Sequence, residues 1–181
     1  MEKQLEIIEM CKELKLPSVR ELIKQNDIFE KYPSPIEFLH FALSQEQQDR
    51  LVRAKANRIR LANFPEKKLL EEIDMDALPP NAAMRLSHLK ELNFIKEKQN
   101  ILFIGSPGTG KTHLAIGLGI EACLTGYKVY FTSVSSLINQ LKESRAGRAA
   151  TIITSNLSFD RWEEVFHDPV LTAALTDRLT H

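Results

Sequence analysis

Residues 105–112 read GSPGTGKT, set between the apolar run ILFI at 101–104 and the run HLAIGLGIEACL at 113–124. Every fixed position of the phosphate-loop pattern G-x-x-x-x-G-K-[ST] is met. A chance match in a chain of this length is below roughly one in a hundred when glycine makes up about 7% of residues. The motif works only with a strand leading in and a helix leading out, so it commits the chain to an α/β fold with a parallel sheet. Gly105, Gly108 and Gly110 let the backbone turn its amides inward, with Ser106, Pro107 and Thr109 completing the loop. The amino terminus of the following helix adds partial positive charge, worth up to roughly 2 kcal/mol to an anion. Lys111 is placed for the β and γ phosphates of a nucleotide, and Thr112 offers a hydroxyl to Mg²⁺. The alternative is an ordinary glycine-rich turn.

The residues around this loop divide by pattern. Residues 1–63 read as all helix: LEIIEMCKELKL aligns Leu5, Ile8, Cys11 and Leu14, and SVRELIKQ continues with Val19, Leu22 and Ile23 after a break at Pro17. SPIE at 34–37 carries a capping-box signature, with Pro35 suited to the first helical position. The helix it opens is predicted to end near Asn63, before Phe64-Pro65. FPEKKLLEEIDMDALPPN at 64–81 holds two proline breaks and no sustained period, so it reads as a linker. The third division, 82–181, holds the phosphate loop. It begins with a predicted helix over 82–98 and then alternates strands with helices. ILFI, VYFTS (129–133) and TIITS (151–155) are predicted strands. Residues 112–124 and 136–143 are predicted helices, and two more follow in DRWEEVF and PVLTAALTDRL.

Composition narrows little. Lys and Arg together number 24, as do Asp and Glu, so any basic surface must be local. One such run lies between Arg50 and Arg60, where Arg50, Arg53, Lys55, Arg58 and Arg60 occur without an acid. On a helix, Arg50, Arg53, Asn57 and Arg60 form a stripe able to track a phosphate backbone without reading bases. A solvated charged face is the other reading. The opening MEKQLEIIEM is too charged for a secretory signal, and the longest apolar stretch, near Ala115–Leu124, is broken by Glu121. A cytoplasmic protein without a membrane segment is expected. Cys11 and Cys123 then read as small buried side chains rather than a disulfide.

The phosphate loop with its continuation HLAIGLGIEACLTGYKVYFTSVSSLINQL, the tail TIITSNLSFDRWEEVFHDPVLTAALTDRLTH and the front RLVRAKANRIRLANFP together closely resemble the IstB family. Members are ATP-binding helpers of insertion-sequence transposition, related to DnaC-like helicase loaders within the AAA+ ATPases. The resemblance implies ATP and Mg²⁺ as cofactors, and double-stranded DNA and a transposase as partners. It also implies homo-oligomers in the intact family. Asn156 matches the polar sensor that helps place the attacking water, or is simply an Asn ending a strand in a turn. Arg178 matches the arginine that acts in a neighbouring subunit's site, or is a solvated helix residue.

One part of the family pattern is missing. Between LKESRAGR and TIITSN the family places a strand ending in an acidic pair, the Walker B motif, and a further helix. Here Ala149-Ala150 joins the two ends. The acids after Thr112 are Glu121, Glu143, Asp160, Glu163, Glu164, Asp168 and Asp177, and none follows four consecutive apolar strand residues. The resemblance therefore implies an internal deletion and impaired hydrolysis, because phosphoryl transfer depends on positioned metal and water. Three readings stand: a DNA-dependent ATPase of the IstB type, a module that binds ATP and DNA without hydrolysis, and a helicase loader of the DnaC type. For the shortened sheet, an open gap would strand backbone groups at roughly 1–3 kcal/mol each. Three parallel strands in the order ILFI, TIITS, VYFTS are therefore predicted.

Overall fold

The computed structural model describes residues 2–25, 27–32, 34–134, 136, 150–157 and 161–162. Its helices are α1 (Glu2–Glu13), α2 (Pro17–Ile23), α3 (Ile28–Lys31), α4 (Pro35–Leu61), α5 (Pro80–Lys90), α6 (Asn93–Lys96) and α7 (Lys111–Thr125). A short 3₁₀ turn covers Leu70–Glu72, and the strands are β1 (Ile101–Ile104) and β2 (Ile152–Ser155). Two compact units result, residues 1–57 and 58–181, with the division falling inside α4. Among the described residues no helix is long and apolar enough to cross a membrane.

In the first unit, Cys11, Val19, Ile23 and Ala42 are buried together, with Ile8, Leu16, Leu22 and Phe38 packed on them. Cys11 is free, and burial pushes its thiol up from its ordinary value. Pro17 starts α2, so the first amides of that helix need an outside acceptor. It comes from α4: the buried Glu46 accepts from the Ser18 amide at 2.8 Å through Oε2. Its other oxygen, Oε1, accepts from Arg53 at 3.0 Å and Arg50 at 3.4 Å. Burial alone would raise the Glu46 carboxyl, but the amides of Ser18 and Val19 with Arg53 and Arg50 outweigh it and hold it below the ordinary range. Replacing Glu46 with alanine should cost this unit about 1–3 kcal/mol, as lost capping of α2. Because the folded carboxyl is the stronger acid, its contribution is full above about pH 4.3 and disappears as the pH falls through the lower folded value. Acid titration followed by circular dichroism should show Glu46→Gln losing less stability than the parent between pH 5 and pH 3 (a span of about 2 units).

The second unit is built around α7. Leu114, Leu118 and Ala122 meet Leu86, Leu92, Phe94 and Leu70 in one cluster, against which Ile101, Phe103 and Ile152 of the sheet pack. Each such aliphatic side chain contributes roughly 1.5–3 kcal/mol by leaving water. The helix ends at Gly126, φ +114, where the Tyr127 amide bonds back to the Ala122 carbonyl at 2.9 Å. β1 and β2 are parallel neighbours, in register Ile101↔Ile152 through Ile104↔Ser155. The predicted adjacency of ILFI and TIITS is therefore present.

Three expectations need correction. VYFTS is not a strand, and among the described residues the sheet has two strands, not about three. Its backbone is engaged elsewhere: the Phe131 amide donates to the Ala62 carbonyl at 2.7 Å, and the Phe131 ring lies 6.1 Å from that of Phe64. Val129 joins the core cluster from this position. The Phe131 amide, which a third strand would have needed for the sheet, is thus taken up by the chain leaving α4, and the aromatic contact there holds it. The single helix predicted over 82–98 is split at Leu92, φ +58, a turn that lets Leu86, Leu92 and Phe94 all reach the core. The stretch 64–81, read as a linker, contributes the buried Leu70 to that same core. The helix expected over 136–143 lies outside the described residues except for Ser136, as do Ala149, the final helices beyond Trp162 and Arg178.

Candidate nucleotide-binding site

The loop after β1 takes the shape its glycines predict. Gly108 and Gly110 sit at φ +83 and +79, where a residue with a side chain is strained, although a Cβ at either would meet nothing within 4 Å. The requirement is conformational, and it leaves the backbone face open. Thr109 Oγ1 donates to the Ser106 carbonyl at 2.9 Å, closing the loop on itself. Lys111 Nζ reaches the same carbonyl at 2.7 Å and lies 3.3 Å from Thr109 Oγ1. Lys111 and Thr112 open α7, so the loop lies at the positive end of that helix.

A cavity of about 450 Å³ lies over this loop, lined by Lys68, residues 107–113, Thr154 and Asn156. Asn156 arrives there because β2 runs beside β1 in register: Gly105 N donates to Ser155 O at 3.3 Å at the strand ends. A small turn then anchors the end of β2. Ser155 Oγ donates to Leu157 O at 2.7 Å, and the buried Trp162 donates its Nε1 to Ser155 Oγ at 3.1 Å. Leu157 and Trp162 thereby hold the turn that places the exposed Asn156 at the mouth of the cavity. Pro107, Gly108, Thr109, Gly110, Lys111, Thr112 and Asn156 thus line one cavity, with Gly105 and Ser106 leading into the loop from β1. No Asp or Glu lines the cavity among the described residues.

Two features of the site escaped the sequence reading. The first is the segment from Phe64 to Glu72, which crosses α7. A Cβ added at Gly117 would fall 2.5 Å from Leu70 Cδ2, and one at Gly119 would fall 2.9 Å from the Phe64 ring. His113 Nε2 donates to the Leu69 carbonyl at 2.8 Å, and the Leu69 amide donates to Glu72 Oε2 at 3.0 Å. Two glycines inside one helix were the available signal, since they cost helix stability unless something must come close. The second is Lys68, carried into the cavity by this segment. Nothing in the local pattern of FPEKKLLEE marks it.

The basic run has internal partners. Arg50 donates to the Lys15 carbonyl at 2.9 Å and Arg53 to Glu46, with 59% and 49% of their side chains still exposed. Arg58 Nε donates to the Cys123 carbonyl at 2.6 Å, a bond that ties the end of α4 to α7. These three arginines therefore have structural work independent of any ligand. Arg60 is exposed. Cys123 is buried and free, its thiol raised by burial.

The model of the IstB-like ATP-binding protein family matches residues 9–149 and 143–181. A putative ATP-binding protein of insertion sequence IS5376 from Geobacillus stearothermophilus is 34% identical over 188 residues, covering 80% of this chain and 75% of the relative. The corresponding IS21 protein of Pseudomonas aeruginosa is 31% identical over 188 residues, covering 80% and 71%. An IS21-like protein of Bacteroides fragilis is 28% identical over 221 residues, covering 97% and 84%. With the phosphate loop, its strand and its helix all in place, the chain belongs to the IstB-like ATP-binding protein family.

Proposed function

We propose that this chain binds ATP with Mg²⁺, contacts duplex DNA and assists a transposase as a cytoplasmic helper of insertion-sequence transposition, with hydrolysis impaired. The observation that carries the nucleotide part is the cavity over the loop, where Lys111, Thr112 and Asn156 converge on a glycine backbone of positive φ. The donor set fits a triphosphate: amides and ammonium groups for the anion, and one hydroxyl for the metal. Mg²⁺ keeps several waters and shares phosphate oxygens, so Thr112 would supply the one protein ligand described at the cavity. When bound, the metal would neutralise phosphate charge, while the chain's own residues grip and orient the phosphates.

Loss of hydrolysis is supported by the absence of any carboxylate among the described residues lining the cavity. An internal deletion of the Walker B strand agrees with the family match falling in two pieces that meet at 143–149. It agrees also with alignments extending over 188 residues while taking in 80% of a chain of 181. The partner assignments rest on the family: the relatives are named for insertion sequences, which points to a transposase. Homo-oligomers with Arg178 reaching a neighbour's site follow from the same resemblance.

DNA contact is assigned to Arg50, Arg53, Arg58 and Arg60 of α4. Titration of a labelled duplex at several salt concentrations, with ATP affinity measured on the same sample, tests the reading. Arg60→Ala should reduce the slope of log affinity against log salt by about 1 and weaken unrelated sequences alike. Arg50 and Arg53 are poorer test positions because they also hold Glu46. An unchanged slope in Arg60→Ala would remove that residue from the DNA surface, and no duplex binding by the parent would remove the surface altogether.

A further inference from the structure

We propose that Lys68 is a second phosphate-binding cation of the cavity, placed by the segment crossing α7 and restrained by Glu66 until a nucleotide competes for it; the proposal rests on the nucleotide reading above. Lys68 lines the same cavity as Lys111 and Thr112. Its backbone is clamped on the carboxyl side, where His113 Nε2 donates to Leu69 O at 2.8 Å, the Leu69 amide meets Glu72, and Leu70 is 4% exposed in the core. A lysine on a free loop would lose much of its electrostatic gain to ordering entropy, but here the backbone part of that cost is met by the fold. The ammonium lies 2.7 Å from Glu66 Oε1, with the lysine side chain 33% and the glutamate 54% exposed. A solvent-exposed single carboxylate is a weak partner, whereas a triphosphate carries several negative charges and many acceptor oxygens. In a cavity without a lining carboxylate among the described residues, the exchange favours the phosphate. His113 acts as a positioning residue: it sits directly after Thr112 and grips the carbonyl next to Lys68, so loop and segment are registered to each other.

The test is displacement of a fluorescent ATP analogue by ATP in the full chain, for the parent, Lys68→Ala, Lys68→Arg, Glu66→Gln and the Glu66→Gln/Lys68→Ala pair. Lys68→Ala should weaken ATP by about three- to twentyfold, and Lys68→Arg should restore most of it. Glu66→Gln should tighten ATP about two- to fivefold by releasing the ammonium, and that gain should vanish when Lys68 is alanine. Unchanged affinity in Lys68→Ala, with a parent that binds, overturns the assignment of Lys68 alone. A Glu66→Gln gain that persists without Lys68 overturns the restraint, because the glutamate would then act only through the general field. A parent that does not bind the analogue overturns the nucleotide reading itself. Thermal unfolding of each variant separates a lost contact from a lost fold, and Lys68→Ala should melt with the parent because Leu70 and His113 still hold the segment.

Discussion

Lys111→Ala is expected to weaken ATP binding at least about tenfold, the largest loss of any single substitution in the cavity. Lys111 follows the last loop glycine and opens α7, where its ammonium curls back to the Ser106 carbonyl at 2.7 Å. That position puts the charge at the centre of the loop. A charge-assisted hydrogen bond is worth roughly 1.5–3 kcal/mol, which corresponds to about ten- to a hundredfold or more in affinity. The loop itself should survive, since Thr109 Oγ1 also bonds Ser106 O at 2.9 Å and the two glycines of positive φ are unchanged. Isothermal titration with ATP, beside a melting curve, measures both parts. Equal affinity in variant and parent would mean that the phosphates do not lie over this loop.

The strand, loop and helix were legible because the signal is local. ILFI is short, apolar and bounded by glycine, and GSPGTGKT permits few backbone paths. The pairing of ILFI with TIITS was readable only through family resemblance, since nothing within TIITS says which strand it joins. VYFTS shows the limit. Its β-branched and aromatic residues fit a strand, yet Phe131 satisfies its amide at Ala62 and packs near Phe64. The competing partner lies far away in sequence, and local propensity does not report it. The same holds for Glu46, which reads as one more surface acid in SQEQQDR. Its burial follows from the orphan amides of α2, a requirement set by Pro17 on another helix.

The candidate site divides along the same line. Residues on the loop could be named because their chemistry and spacing are one signal. Lys68 could not, because it enters on a segment whose placement depends on Leu70 lodging against Gly117. Gly117 and Gly119 did carry a hint: alanine would have favoured the helix by roughly 1 kcal/mol at each, so close packing must offset that. The arginines of α4 show a different limit: their spacing marks a stripe of Arg50, Arg53, Asn57 and Arg60, but it does not report the internal acceptors that Arg50, Arg53 and Arg58 meet.

ATP turnover by the parent, with or without duplex DNA, is expected to be no faster than that of Lys111→Ala. A positioned general base contributes typically about 10²–10⁴ in rate, so on the proposed loss of the acidic pair hydrolysis should be at least about a hundredfold slower than in a family member that retains it. The described cavity offers Lys68, Lys111, Thr112, His113 and Asn156. Both lysines bring positive charge to phosphates without accepting a proton from water. Asn156 can orient a water but cannot take its proton, and His113, bound through Nε2 to the Leu69 carbonyl, has only Nδ1 left to accept one. Binding and turnover are therefore expected to separate: ATP should be held, and Lys111→Ala should weaken the holding while leaving the expected low rate unchanged. Phosphate release measured on one preparation, alongside ATP affinity and with duplex DNA added, distinguishes the two. DNA-stimulated release in the parent that disappears in Lys111→Ala would show that a carboxylate outside the described cavity reaches the γ phosphate, and the binding-only reading would fall.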